Sequence, residues 1–179
     1  MLGKPGENMI LHVGHTKAKD EEGTRKTVSH QAVTGDIAII IDGKSLDSEL
    51  VRLASLLASH GRCNIHLIHF IEVPRTLPLR AGLPEENEKA DKLLAEALAI
   101  TGRAGCHAVA EVVQVRDVGL AIIEEARDRE WSLIILGEVR DVHHREHYDR
   151  DTMIPYVLAH APCRVWVVQD PPAEWAAFF

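Results

Sequence analysis

Asp36-Ile37-Ala38-Ile39-Ile40-Ile41-Asp42-Gly43-Lys44-Ser45 is the stretch on which the reading of the fold turns. Ile37 to Ile41 is an unbroken apolar run with no polar residue at every second place. A strand with one wet face alternates; a run without alternation belongs to a strand covered on both faces, the habit of parallel sheets. The run stops at Asp42-Gly43. Ser45 is then placed to cap a helix from Leu46 to Ser59. Asp47 and Glu49 fall in that helix's first turn, where the dipole favours carboxylates, and Gly61 closes it.

The same alternation continues downstream. Ile65 to Ile71 reads as a second strand, and Pro74 and Pro78 break the loop after it. Pro84 suits the first turn of a second helix, followed by Glu85, Glu86 and Glu88. Its apolar stripe, Ala90, Leu93, Leu94, Ala97 and Leu98, has helical spacing, and Gly102 and Gly105 end it. Ala108 to Val115 is strand three, with Asp117 as the N-cap of a helix from Val118 to Arg129. Leu133 to Leu136 is strand four, stopping at Gly137. Thr152 to His160 is a short fourth helix ended by Pro162, and Arg164 to Val168 is strand five. Strict alternation of strand and helix implies parallel pairing with right-handed crossovers. The expected class is α/β: a doubly wound, mainly parallel five-stranded sheet with helices on both faces.

Upstream of Asp36 the character differs. Residues 1–35 hold a charge run from Lys17 to Lys26 and almost no aliphatic periodicity, so they read as an N-terminal extension, extended or partly disordered. Met9 to Val13 is the one candidate strand there. After the last strand, Pro171 and Pro172 end the sheet, and residues 170–179 form a tail carrying Trp175, Phe178 and Phe179. The organisation is thus 1–35 extension, 36–169 α/β domain, 170–179 aromatic tail.

Composition narrows the function classes. The chain's 179 residues fit one domain, and 46% apolar with 26% charged residues is ordinary for a globular protein. A net charge of −7 argues against nucleic acid or an anionic membrane as partner. No apolar run approaches the roughly 20 residues of a membrane span, and Met9 to Val13 is too short for a secretory signal. Cys63, Cys106 and Cys163 are odd in number and far apart in the chain, which reads as reduced thiols rather than a disulfide framework or zinc site. A cytoplasmic location is expected on these grounds.

Several stretches together resemble the universal stress protein family. Ile39-Ile40-Ile41-Asp42-Gly43 resembles its first strand and turn, Leu67-Ile68-His69-Phe70 its second strand, and Arg116-Asp117 its Gly-Asp turn with Arg in place of Gly. Leu133-Ile134-Ile135-Leu136-Gly137 resembles its fourth strand. Val157 to Val168, with His160-Ala161-Pro162-Cys163 at its centre, resembles the closing helix and strand, the most specific match. The resemblance implies a homodimer, often paired through the last strand, here Arg164, Val165, Trp166, Val167 and Val168.

It also implies a nucleotide question. Members that bind ATP carry Gly-x-x-Gly, a spacer, then Gly followed by Ser or Thr. Those glycines let backbone amides approach phosphate, and the hydroxyl residue opens a helix whose N-terminus favours anions. Carried over here, the positions are Asp42 by the nucleoside, Gly137 as the first glycine, Arg140 in place of the second, and Asp151-Thr152 as the best fit to the end. Two glycines are lost, and a carboxylate near phosphates costs on the order of 1 kcal/mol or more. Arg140, Arg145 and Arg150 offer guanidinium contacts in exchange. Asp42 also has a structural reading, as a turn and helix-entry residue. No cofactor is expected; ATP or AMP is the alternative.

The loop from Glu138 to Asp151 places His143 and His147 at i and i+4, a weak candidate metal pair that Asp141 or Asp149 would complete. Against it, the same residues read as a solvated mixed-charge loop whose arginines repel a cation, so no metal is expected. His66 and His69 read as hydrogen-bonded strand positions, and Cys163 as packing. No nucleophile, base and orienting acid form a recognisable set, and neither GxSxG nor a Walker loop is present, so no enzyme is expected. Trp175, Phe178 and Phe179 either fold back on their own domain or anchor a partner or second subunit; the extension would order on such a partner. The leading expectation is a non-enzymatic regulatory or accessory subunit acting through dimerisation and protein contacts. An adenine-nucleotide switch and a metal-responsive module are the alternatives.

Overall fold

In the computed structural model the described residues are 35–60, 63–138 and 150–169, with the backbone alone for 150–152. The N-terminal extension, the loop at 139–149 and the aromatic tail lie outside them. In chain order the elements are β1 (Ile37–Ile40), α1 (Asp47–His60), β2 (Ile65–Glu72), α2 (Pro84–Arg103), β3 (Ala108–Val115), α3 (Val118–Asp128), β4 (Leu133–Glu138), α4 (Arg150–His160) and β5 (Arg164–Gln169). The strands form one sheet in the order β3-β2-β1-β4-β5, every pair parallel. This is the doubly wound five-stranded fold that the alternation implies.

The central run explains itself in this setting. Ile37, Ile39 and Ile41 point into the core layer under α1 and α2, whereas Ala38 and Ile40 point into the layer under α3 and α4. All five are 6% exposed or less. Both faces are dry, so no position of β1 tolerates a polar side chain. Each buried isoleucine contributes on the order of 1.5–3 kcal/mol relative to leaving it in water.

Boundaries follow local chemistry. Pro84 sits at the start of α2 with Glu85 and Glu86 in its first turn. Asp117 caps α3, its side chain accepting from the Leu120 amide at 2.9 Å. One sequence expectation is displaced: α1 starts at Asp47, so Leu46, and not Ser45, precedes it. Leu46 is 3% exposed and belongs to the core. Its burial pulls the helix start along the chain. α4 begins at Arg150, earlier than Thr152, and carries Pro155 within it.

Candidate functional site

β1 and β4 lie side by side, but the chain leaves β1 towards β2 and leaves β4 towards β5. The two exits diverge, the arrangement that in open α/β sheets leaves a crevice at the carboxyl ends of the strands. Ligands in open α/β sheets bind at such switch points. The residues at its mouth are Asp42, Gly43 and Lys44 beyond β1, and Gly137 and Glu138 at the end of β4.

Asp42 and Asp47 organise the first exit. The Asp42 carboxylate accepts from the Lys44 amide at 3.2 Å and pairs with Lys44 Nζ at 2.6 Å. Asp47, in the first turn of α1, accepts from the Gly43 amide at 2.8 Å and from the Asp42 amide at 3.5 Å. Gly43 has φ of +82°, a left-handed turn that a side chain would strain, and a Cβ there would lie 3.3 Å from Leu93 Cδ1. Burial pushes the Asp47 carboxyl up to about 6; the Gly43 amide opposes this and the Asp42 charge adds to it. The crevice is therefore rimmed by two close carboxylates and one ammonium.

The second exit is closed by packing. A Cβ on Gly137 would meet Leu50 Cδ1 at 3.1 Å and Leu46 Cβ at 3.5 Å. Gly137 thus lets α1 lie directly on the end of β4, a structural reason for glycine that needs no phosphate. Behind β1, His69 Nδ1 donates to the Ile41 carbonyl at 2.8 Å, so that nitrogen carries the proton. Arg116 fills the place where the resemblance has glycine. Its guanidinium donates to the carbonyls of Val73 at 2.8 Å, Pro74, and Leu77 at 2.6 Å, tying down the loop between β2 and α2.

The positions singled out in the sequence divide as follows. Asp42 and Gly137 lie at the carboxyl ends of the neighbouring strands β1 and β4. Asp151 and Thr152 fall in the first turn of α4, on the same carboxyl side of the sheet. Arg164, Val165, Trp166, Val167 and Val168 form β5 at the sheet's edge, with Val168 paired to Gly137 at its carboxyl end. Arg140, His143, His147, Trp175, Phe178 and Phe179 lie outside the described residues, as does the metal-pair reading. Among the described residues, no group of three His, Cys, Asp or Glu side chains is arranged to hold a metal, and no helix is long and apolar enough to cross a membrane. Lys44, Asp47 and the carbonyl clamp of Arg116 were not singled out for these roles. Only Lys44, two residues from Asp42 across a glycine turn, left a readable signal.

A model of the family described as the universal stress protein family matches residues 34–169. No curated protein matches the chain. A universal stress protein from Archaeoglobus fulgidus, solved in complex with dAMP, is similar with a TM-score of 0.59 at 15% identity, covering 74% of this chain and 95% of that one. A family protein from Burkholderia pseudomallei has a TM-score of 0.57 at 21% identity, covering 77% and 98%. One from Arabidopsis thaliana, with AMP bound, has 0.54 at 13% identity, covering 78% and 94%. At these identities the likeness carries the fold and not the chemistry of the site.

Proposed function

This chain belongs to the universal stress protein family, and on that premise we propose that it is a non-enzymatic regulatory or accessory subunit working as a homodimer and through protein contacts. The supporting observation is β5. Among the described residues it is an edge strand, bonded to β4 alone, and Trp166 on it is 38% exposed beside half-buried Val165, Val167 and Val168. An edge strand offers a row of unmade backbone bonds, and an apolar one invites a second strand. Antiparallel pairing of two β5 strands about a twofold axis satisfies both rows at once. Such a subunit needs no catalytic group, and we assign none. A cytoplasmic location belongs to the same reading, with cysteine usage as its support.

Light scattering coupled to size exclusion of the full chain tests this. A dimer is expected, Trp166→Glu should shift it towards monomer while circular dichroism stays unchanged, and deletion of residues 171–179 should weaken assembly. A wild-type monomer at every concentration, or a Trp166→Glu dimer as tight as wild type, ends the β5 reading.

A second reading, an adenine-nucleotide switch, is favoured by one observation: Asp42 stands at the switch-point crevice, its carboxylate accepting from the Lys44 amide and joined to Lys44 Nζ by a part-exposed pair that a ligand can displace. Two similar structures hold dAMP and AMP. The fit is incomplete, because α1 occupies the space over Gly137. Calorimetric titration of nucleotide-stripped protein with ATP and AMP, with and without magnesium, decides it. Micromolar binding supports the switch; no heat at millimolar nucleotide rejects it.

A further inference from the structure

At the amino end of the sheet, opposite the crevice, the fold brings two cysteines side by side that are far apart in the chain. β2 and β3 pair with Ile65 opposite Ala108, and the Ile65 amide donates to the His107 carbonyl at 3.2 Å. Cys63 and Cys106 each stand two residues before that pair, on the approaches to β2 and β3. Their packing agrees: Cys63 is part of the core layer under α1 and α2, and Cys106 packs against that layer. Both line one cavity of about 370 Å³, together with Ala58, Gly105 and His107. The Cys106 thiol donates to the Ser55 carbonyl at 3.3 Å, which holds it over α1. The two approaches converge on the Ile65–Ala108 pair, where adjacent strands run about 4.8 Å apart, inside the Cα separation of about 4.4–6.8 Å that a disulfide spans. Gly105, at φ of +70° with open space where a Cβ would stand, gives the backbone beside Cys106 room to adjust.

We propose that Cys63 and Cys106 are a dithiol modification site that hydrogen peroxide oxidises to a disulfide. Cys106 is half-buried and Cys63 is 9% exposed, so Cys106 meets the oxidant first. Its thiol gives up its proton and the thiolate attacks one peroxide oxygen; the S–O bond forms as the O–O bond breaks, and the hydroxide released takes that proton, giving Cys106 sulfenic acid and one water. The Cys63 sulfur then attacks the Cys106 sulfur. The S–S bond forms, the S–O bond breaks, and the oxygen leaves as a second water with the remaining thiol proton. Two thiols lose two electrons and two protons, and the peroxide is reduced to two waters. Cys163 takes no part. It packs in the core layer on the other side of the sheet, and burial pushes its thiol up, away from the reactive thiolate. This site is independent of the dimer and nucleotide readings.

The test treats the full, untagged, reduced chain with a small excess of hydrogen peroxide, then unfolds, alkylates and digests it without reductant. The expected product is lighter by two hydrogens, has one alkylatable thiol in place of three, and yields a peptide linking Cys63 to Cys106 that dithiothreitol separates. Cys163→Ser should leave the link intact, whereas Cys63→Ser and Cys106→Ser should abolish it. Cys106 carried to sulfinic or sulfonic acid with no link overturns the proposal, as do links through Cys163 or three thiols still titrating. The wild-type map decides by itself if a variant fails to fold.

Discussion

Asp36, where the chain enters β1, and Asp47, just beyond its exit, are the same side chain in opposite surroundings. Asp36 accepts from Asn64 Nδ2 and from His66 Nε2, each at 2.9 Å. Burial pushes its carboxyl up, but those two bonds and the His66 charge outweigh burial and hold it below the ordinary value. Asp47 lies deeper, receives two backbone amides, and faces the Asp42 carboxylate, so it ends at about 6. One end of β1 is a settled joint and the other holds unresolved charge. Charge left unresolved in a crevice is a mark of sites that meet something else.

Crowding the exit end should have the largest effect. Gly137→Val forces a branched side chain against Leu50 and Leu46, and overpacking of this kind costs about 1–3 kcal/mol. Urea unfolding should show a lower midpoint at unchanged slope; an unmoved midpoint means α1 does not lie on β4. Next is Asp47→Asn. An acid whose folded value exceeds its unfolded value of 3.8 weakens the fold as pH rises through the window from 3.8 to about 6. The amide keeps an acceptor for Gly43 and removes the charge, so the variant should gain about 1–2 kcal/mol at pH 7, after discounting for solvent screening, and nothing below pH 3.8. Equal stability of both proteins at pH 7 would remove the contrast between the two ends.

Asp36→Asn probes the settled end, with opposite sign. A depressed carboxylate stabilises above its unfolded value of 3.8 and loses that contribution as pH falls through its lower folded value. The variant should lose about 1 kcal/mol at neutral pH, since its bonds are part-exposed, and the loss should fade under strong acid. Thermal melts across pH test both slopes together. Lys44→Met should have the smallest effect on stability, within about 0.5 kcal/mol, because its pair with Asp42 is part-exposed and joins residues only two apart in the chain; a larger loss would make that pair structural.

What was legible in the sequence is what local chemistry determines. β3 has the ends read for it, Ala108 and Val115, because Gly105 and Asp117 punctuate it within a few residues. The Asp117 cap was readable because its partner is three residues on. Parallel pairing followed from the strict alternation of strand and helix. The misses are long-range or indirect. The carbonyls that Arg116 ties down lie about forty residues upstream, and Gly137 is explained by side chains of α1. Ser45 looked like the cap because its hydroxyl suits the role; Leu46 entering the core moved the start of α1 past it. The cysteines looked unrelated because only the register of β2 on β3 makes them neighbours.

The seam between β1 and β4 has a consequence for how the molecule assembles. Neighbours within β1-β2-β3, and β4 with β5, meet across a single crossover. β1 meets β4 only by closing a far longer loop: the Ser132 hydroxyl donates to the Asp36 carbonyl across 96 residues. Loop-closure entropy delays such contacts until others reward them. The two parts of the sheet therefore form before the seam does, and the crevice, which exists only where they join, is among the last features the folding chain acquires.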